Sequence, residues 1–139
     1  MLQQEDIIVD IPENRVKFFG GTGKMLLPSP ATLATLIEKV PEHELITTEL
    51  LRKKLAGEFK VQGVCPVTTR NALKVVAQDL GQTAYWQVIK QNGELMTYFP
   101  DGVEGHAAHL REEGFTIDTK GKAPKVTNFK ESLVSFSEG

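Results

Sequence analysis

The sequence predicts a small α+β domain that is mostly α-helical with minor β elements. Three observations support this prediction. The 139 residues, 40% of them hydrophobic, suffice for one domain with a packed core. Apolar residues recur at helical spacing in three segments between residues 29 and 81 and again at 103–114. Between these regions, the apolar stretch 85–99 surrounds an Asn-Gly pair, the preferred pair for a tight hairpin turn.

Residues 1–27 have no helical pattern. The stretch DIIVDIPENRVKFF alternates weakly and predicts one or two short strands around a Pro-Glu-Asn turn. GGTGKM at 20–25 is similar to a phosphate-binding loop, but that motif needs a glycine where Phe18 stands and a hydroxyl residue where Met25 stands. We therefore expect a flexible turn here.

The first two predicted helices have recognisable starts. PSPATLATLIEKV begins with Ser29, which can cap a helix, and Pro30, which suits the first turn. TTELLRKKLAG is capped by Thr47 or Thr48 and is expected to end at Gly57. Their leucines form apolar stripes, so both helices are expected to pack against one core.

The third helix, TTRNALKVVAQDLG, is expected to start at Thr68 or Thr69 and to end at Gly81. A predicted hairpin at 85–99 and a fourth helix at 103–114 follow. The tail predicts a strand, a basic loop and a short amphipathic helix. Three helices followed by a hairpin is the order of a winged helix-turn-helix, in which the third helix faces a duplex.

Charge and cysteine content exclude several classes of protein. The net charge is −2, but residues 39–74 hold seven Lys or Arg against four Glu, and residues 75–114 hold two against six acids. Such asymmetry can orient a protein on a polyanion. The single cysteine excludes a disulfide framework. With no apolar run long enough for a membrane span and no signal-peptide pattern at the acidic N-terminus, we expect a cytoplasmic protein.

Four blocks, in order, carry a family resemblance: VPEHELITTELLRKKLAG, TTRNALKVVAQD, AYWQVIKQNGEL and FPDGVEGHAAHLREEG. Together they resemble the C-terminal domain of the alkylguanine-DNA alkyltransferases, and most closely a subgroup of alkyltransferase-like proteins. The resemblance implies a winged helix-turn-helix domain at 28–115. It leaves 1–27 as an N-terminal extension with short strands and 116–139 as a C-terminal extension that packs on the domain.

Active members of that family bind duplex DNA through the minor groove, flip an alkylated guanine out and transfer its alkyl group to a cysteine thiolate. A histidine activates the cysteine and a glutamate orients the histidine. Here Tyr85 stands at the cysteine position, Trp86 at the histidine position and Gln87 at a following arginine position, while Glu113 keeps the glutamate position. A phenol is a poor alkyl acceptor at neutral pH, so we expect no alkyl transfer.

The resemblance also implies contact residues. Arg70 matches the arginine that replaces the flipped nucleotide, and Asp79 stands where the family has an asparagine below its site. Thr47 and Thr48 replace a Thr-Tyr pair, which removes bulk that helps to rotate the target phosphate. The expected DNA contacts are Thr47, Thr48, Thr69, Arg70, Asn71 and Lys74. The expected pocket residues are Tyr85, Trp86, Val88, Pro100, Asp101 and Gly102.

Two other kinds of chemistry involve the remaining reactive residues. Cys65 precedes a helix, where a thiol pKa falls, but a buried structural cysteine is the commoner role. His106, His109 and Glu113 lie at i, i+3 and i+7, yet three ligands without a fourth do not predict a metal site. We expect neither a metal nor a cofactor.

Three functions follow from these observations. The first is a non-catalytic protein that binds double-stranded DNA, recognises alkylated sites and passes them to other repair proteins. The second is an interaction protein that has lost DNA binding. The third is an active methyltransferase that uses another acceptor, such as Cys65.

Overall fold

The computed structural model describes residues 5–79 and 84–134 of the 139-residue chain. Helices and small sheets alternate along it, which confirms the predicted mostly α-helical α+β class. The helices are α1 (Val16–Phe19), α2 (Pro30–Ile37), α3 (Thr48–Phe59), α4 (Pro66–Asp79) and α5 (Gly102–Glu112). Short 3-10 helices cover Glu13–Arg15, Tyr85–Gln87 and Phe129–Ser132. The strands are β1 (Ile7–Asp10), β2 (Lys24–Leu27), β3 (Ile46–Thr47), β4 (Gly63–Val64), β5 (Val88–Ile89), β6 (Ile117–Asp118) and β7 (Lys125–Val126).

Three small sheets tie the helices together. β1 pairs antiparallel with β2, and β2 pairs in parallel with β4, the strand between α3 and α4. β3 pairs in parallel with β5, so the start of α3 lies beside the Tyr85–Gln87 turn. β6 and β7 form an antiparallel pair near the C-terminus. The second of these sheets places the two regions of functional interest next to each other.

The main core lies between α2, α3 and α4 and is built from the apolar stripes that the sequence predicted. Leu33, Leu36 and Ile37 of α2 are buried against Leu51 and Leu55 of α3. Leucine and valine side chains of α4 complete the cluster. No helix among the described residues has the length and apolar character needed to cross a membrane.

The predicted hairpin at 85–99 is wrong in its pairing. The turn forms, with Gly93 at a φ of 90° and the Lys90 amide bonded to the Glu94 carbonyl at 2.9 Å. The arm beyond the turn then leaves its predicted partner, since the Leu95 amide donates to the Pro124 carbonyl at 3.2 Å. The first arm instead pairs with β3, and the second arm hydrogen-bonds to the C-terminal segment.

Several predicted helix ends also differ from the structure. Helix α3 continues through Gly57 to Phe59, which packs against the core, and the residue after it, Lys60, has a φ of 55°. Helix α4 starts at Pro66, so Thr68 and Thr69 lie within its first turn instead of capping it. The predicted end of α4 at Gly81 lies outside the described residues.

Residues 12–19 form a 3-10 turn and the short helix α1 where a second strand was expected. The helix ends at Gly20, which has a φ of 78° and donates its amide to the Lys17 carbonyl. By contrast, the predicted cap of α2 is confirmed, because the Ser29 hydroxyl accepts a hydrogen bond from the Thr32 amide at 3.3 Å.

Candidate nucleic-acid interface

A cleft of about 170 Å³ lies where the first turns of α3 and α4 meet the 90–98 segment. We call it the helix-start cleft. Its walls are Thr48, Arg52, Pro66, Thr69, Arg70, Leu73, Lys90, Met96 and Tyr98. Three of the predicted DNA contacts therefore meet at one opening, although they come from different helices.

The predicted threonines divide into two groups. Thr47 is buried and caps α3 by accepting the Leu50 amide at 3.1 Å. Thr69 is also buried, and its hydroxyl donates to the Cys65 carbonyl at 2.8 Å. Thr48, the first residue of α3, lines the cleft, as does the exposed Arg70 in the first turns of α4. Thr48 and Arg70 can therefore contact a phosphate without breaking an internal hydrogen bond, whereas Thr47 and Thr69 cannot.

The helix-start cleft is cationic. Arg52, Arg70 and Lys90 line it, and no carboxylate does. Lys90 forms an ion pair with Glu94 at 3.9 Å, while Arg52 and Arg70 pair with no carboxylate of the described chain. Because no carboxylate of the described residues neutralises the Arg52 and Arg70 guanidinium groups, the cleft favours an anionic partner.

Lys74 and Tyr98 extend this surface. The Lys74 ammonium lies 5.5 Å from the centre of the Tyr98 ring. Burial raises the pKa of Tyr98 to about 12, and the opposing charge of Arg70 does not cancel that effect. The phenol therefore stays protonated at neutral pH and can donate a hydrogen bond at the edge of the cleft. Asn71, also on α4, is half-buried and does not line the cleft.

Sequence reasoning did not select Arg52, Lys90 or Tyr98. Arg52 had the pattern of a solvated helix position, and Tyr98 was assigned to a hairpin arm. Their association with Arg70 depends on the packing of the 90–98 segment beside α4, which no local spacing reveals.

The predicted pocket residue Tyr85 lies among aromatic rings. Its ring is 5% exposed and meets the rings of Trp86, Phe99 and His109 edge-on, at centroid distances of 5.2, 5.0 and 5.8 Å. Burial, together with the charge of Asp101, raises the pKa of the Tyr85 phenol. Both effects oppose the phenolate form that nucleophilic attack would need.

The Glu113 carboxylate is bound to groups other than an imidazole. Its carboxylate accepts hydrogen bonds from the Trp86 indole N–H and from the His43 backbone amide, the latter at 3.0 Å. The His43 ring donates to the Glu113 carbonyl at 2.7 Å, and Trp86 itself stacks on His109 at 4.3 Å. Glu113 thus fixes the position of the Trp86 indole and binds the loop before β3.

Gln87, at the family's arginine position, is also used in the fold. It is 2% exposed, and its amide donates to the carbonyls of Pro41 at 2.7 Å and Glu44 at 3.0 Å. Val88 follows in β5 and is completely buried in the core. These two positions therefore lie beneath the Tyr85 turn and support it.

His106 holds the same turn from α5. Its Nε2 donates to the Trp86 carbonyl at 2.8 Å, and its Nδ1 accepts the Met96 amide at 3.0 Å. Because Nδ1 must accept, the ring is neutral with its proton on Nε2. Burial lowers the pKa of His106 to about 4, against the opposing effect of the Trp86 carbonyl. The histidine is a structural bridge between the Tyr85 turn and the 90–98 segment.

The loop before α5 holds the remaining predicted pocket residues. Asp101 and Gly102 both have positive φ, at 64° and 65°, and the Gly102 amide donates to the Phe99 carbonyl at 2.8 Å. Pro100 is half-buried and Asp101 is exposed. The Asp101 charge acts on the Tyr85 phenol, so this loop does lie beside Tyr85.

Cys65 lies away from these rings. It is buried with Ile11 and Met25 at the junction of β2, β4 and α4. Burial would raise the pKa of its thiol, but hydrogen bonds from Thr68 and the charge of Arg15 outweigh burial and lower it. No carboxylate or imidazole among the described residues acts on the sulfur, so this part of the chain offers it no general base.

The absence of a metal site stays a prediction. Among the residues that the structure describes, no group of three or more His, Cys, Asp or Glu side chains is arranged to hold a metal ion. The side chain of Asp79, the substituted position near the end of α4, is outside the described residues.

Comparison with known proteins finds similarity to a solved structure. No family model matches the chain, and no curated protein matches it. Among solved structures, the chain is similar to that of S. pombe Atl1 in complex with damaged DNA containing O6-carboxymethylguanine. The TM-score is 0.60 at 15% sequence identity, and the match covers 76% of this chain and 94% of the Atl1 chain. The chain therefore shares its fold with the Atl1 chain.

Proposed function

We propose that this protein is a non-catalytic, alkyltransferase-like protein that binds double-stranded DNA and recognises alkylated guanine. The observation that carries the proposal is the cationic helix-start cleft, in a fold shared with a protein solved in complex with damaged DNA. The four sequence blocks that resemble alkyltransferases support the same function independently of the fold.

In this proposal, Arg70, Arg52 and Lys90 neutralise phosphates around the cleft. Thr48 and Tyr98 donate hydrogen bonds to phosphate or sugar oxygens. Displaced counterions supply much of the free energy of binding, so affinity falls as salt rises. The repair role is then to mark the alkylated site for other proteins.

Catalysis is not part of the proposal, because every group of the alkyl-transfer relay has another use. The Tyr85 phenol is buried and held protonated, and the Glu113 carboxylate is bound to Trp86 and His43. None of the three imidazoles is hydrogen-bonded to the Glu113 carboxylate: His109 stacks on Trp86, His106 bridges two backbone groups, and the His43 ring binds the Glu113 backbone carbonyl.

The test is fluorescence anisotropy with two duplexes of one sequence, plain and containing O6-carboxymethylguanine, at a low and a moderate salt concentration. We expect binding to both, tighter binding to the modified duplex, and weakening with salt. Arg70→Ala should weaken binding to both duplexes and reduce the salt slope by about one.

The matched control is Arg111→Ala, which removes the same charge from an exposed position on α5, outside the helix-start cleft. It should bind as the unmodified protein does. Equal losses in the two variants would show that only bulk charge matters. No binding at low salt would contradict the proposal and favour a protein that interacts with other macromolecules instead.

A further inference from the structure

A second groove lies between the N-terminal segment and α3. Its volume is about 420 Å³, within the range of about 300–1,000 Å³ that is typical of sites for organic ligands. We call it the N-terminal groove. Its walls include Phe18, Phe19, Glu49, Arg52, Lys53 and Gln91.

Packing around Phe19 builds one wall of the groove. The Phe19 ring lies directly on Gly63, where an added Cβ would come within 2.2 Å of the ring. The Gln62 side-chain amide donates to the Phe19 carbonyl at 2.7 Å. These contacts hold α1 in place, so the neighbouring Phe18 points away from the core.

Phe18 is unusual for an apolar residue because it is 60% exposed. Its ring meets Phe19 edge-on at 5.0 Å, and the Arg15 guanidinium lies 5.9 Å from its centre. An exposed aromatic face beside cations is the arrangement with which proteins stack unpaired bases and hold their phosphates.

The charge of the groove and its position point to the same partner. Arg52 and Lys53 outnumber the single carboxylate, Glu49, along its walls. Arg52 also lines the helix-start cleft, and Gln91 of the groove directly follows Lys90 of the cleft. The two depressions therefore adjoin at Arg52, and a strand leaving one would pass Arg52 to reach the other.

We propose that the N-terminal groove binds an unpaired DNA strand that continues from the duplex in the helix-start cleft, with Phe18 stacking on a base. A paired duplex would serve poorly here, because its base faces are already stacked within the helix. This inference rests on the proposed function, and it gives residues 1–27 a role in selecting junctions between double- and single-stranded DNA.

The test compares a blunt duplex with the same duplex carrying an unpaired oligo-dT extension at its 5′ or its 3′ end. We expect one of the extended duplexes to bind at least about fivefold more tightly than the blunt one. Phe18→Ser should abolish that gain and leave binding of the blunt duplex unchanged. Ile7→Ser, which alters another exposed apolar residue of the same extension, should keep the gain.

The outcomes separate this inference from the function on which it rests. If the blunt duplex binds through Arg70 but neither extension adds affinity, or if Phe18→Ser keeps the gain, the groove proposal is wrong and the duplex proposal stands. If only extended DNA binds, and does so through Phe18, the duplex proposal fails. Absence of binding to every probe overturns both.

Discussion

The side chains around Tyr85 form a mutually consistent set of contacts. The phenol fills space between Phe99, Trp86 and His109. The indole at the next position takes the hydrogen bond that Glu113 offers. Glu113 is half-buried, and Trp86 binds the carboxylate oxygen that the His43 amide does not.

We therefore predict that the protein gains no mass when it is incubated with an oligonucleotide containing O6-carboxymethylguanine. Tyr85→Cys should also gain none, because Glu113 remains bound to Trp86 and no imidazole activates the new thiol. Intact-protein mass spectrometry measures both, and alkylation of the unfolded protein by iodoacetamide confirms that a modified cysteine would be detected. Transfer to Cys65 in the unmodified protein would contradict this prediction.

His106 makes stability depend on pH. Its pKa is about 4 in the folded protein and about 6.5 when unfolded, so between these values only the unfolded state gains a proton. Stability should fall as pH decreases from about 6.5 to about 4, by on the order of 3 kcal/mol in total. Urea unfolding at several pH values measures this, and His106→Asn should lower stability overall while flattening the decline. An equal decline in both proteins would assign it to other groups.

Two helices differ in how closely other chain segments approach their glycines. A Cβ at Gly105 of α5 would lie 2.4 Å from the Pro100 carbonyl oxygen and 2.6 Å from the Asp101 Cβ. At Gly57 of α3, no atom of another chain segment lies within 4 Å of the added carbon. Close packing therefore requires a glycine at position 105. At position 57, the glycine only increases the conformational freedom of the unfolded chain.

Gly105→Ala should therefore destabilise the protein by about 1–3 kcal/mol, because the loop before α5 must move. Gly57→Ala, the matched control, should stabilise it by about 0.5–1 kcal/mol by favouring the helix. Thermal unfolding followed by circular dichroism compares the two. Similar shifts in both variants would show that helix propensity, not the contact with Pro100, decides the effect.

At the scale of the whole molecule, both terminal segments share the core. Leu26 of β2 is completely buried in the main cluster, and Val126 of β7 is buried in a second cluster with Leu45 and Ile89. The Leu45 amide donates to the Ser132 carbonyl at 2.7 Å. We infer that residues 28–115 depend on both extensions for their stability.

Leu26→Ala should cost about 2–5 kcal/mol, which is the range for a leucine removed from a packed core. Ile7→Ala, in the paired strand but 43% exposed, should change stability by less than about 0.5 kcal/mol. Chemical denaturation measures both values. A small effect of Leu26→Ala would mean that the N-terminal strands are peripheral to the domain.

The sequence by itself determined the fold class, the four main helices and the presence of a tyrosine, not a cysteine, at position 85. These are local properties: apolar residues at helical spacing, a Ser-Pro start at residues 29 and 30, and one residue type that cannot carry the chemistry of another. The likeness to Atl1 confirms the fold class. The turn at Gly93 was also local, since it depends on a glycine that accepts positive φ.

Only the tertiary structure decided which segments meet. Pairing of β5 with β3, instead of with its own hairpin arm, depends on the core that both strands enter, and sequence spacing carries no information about it. In the same way, Arg52, Lys90 and Tyr98 join Arg70 at one cleft although they lie far apart in the chain. Long-range packing chooses among many locally acceptable partners, so both the cleft and the groove lined by Phe18 became visible only in the folded molecule.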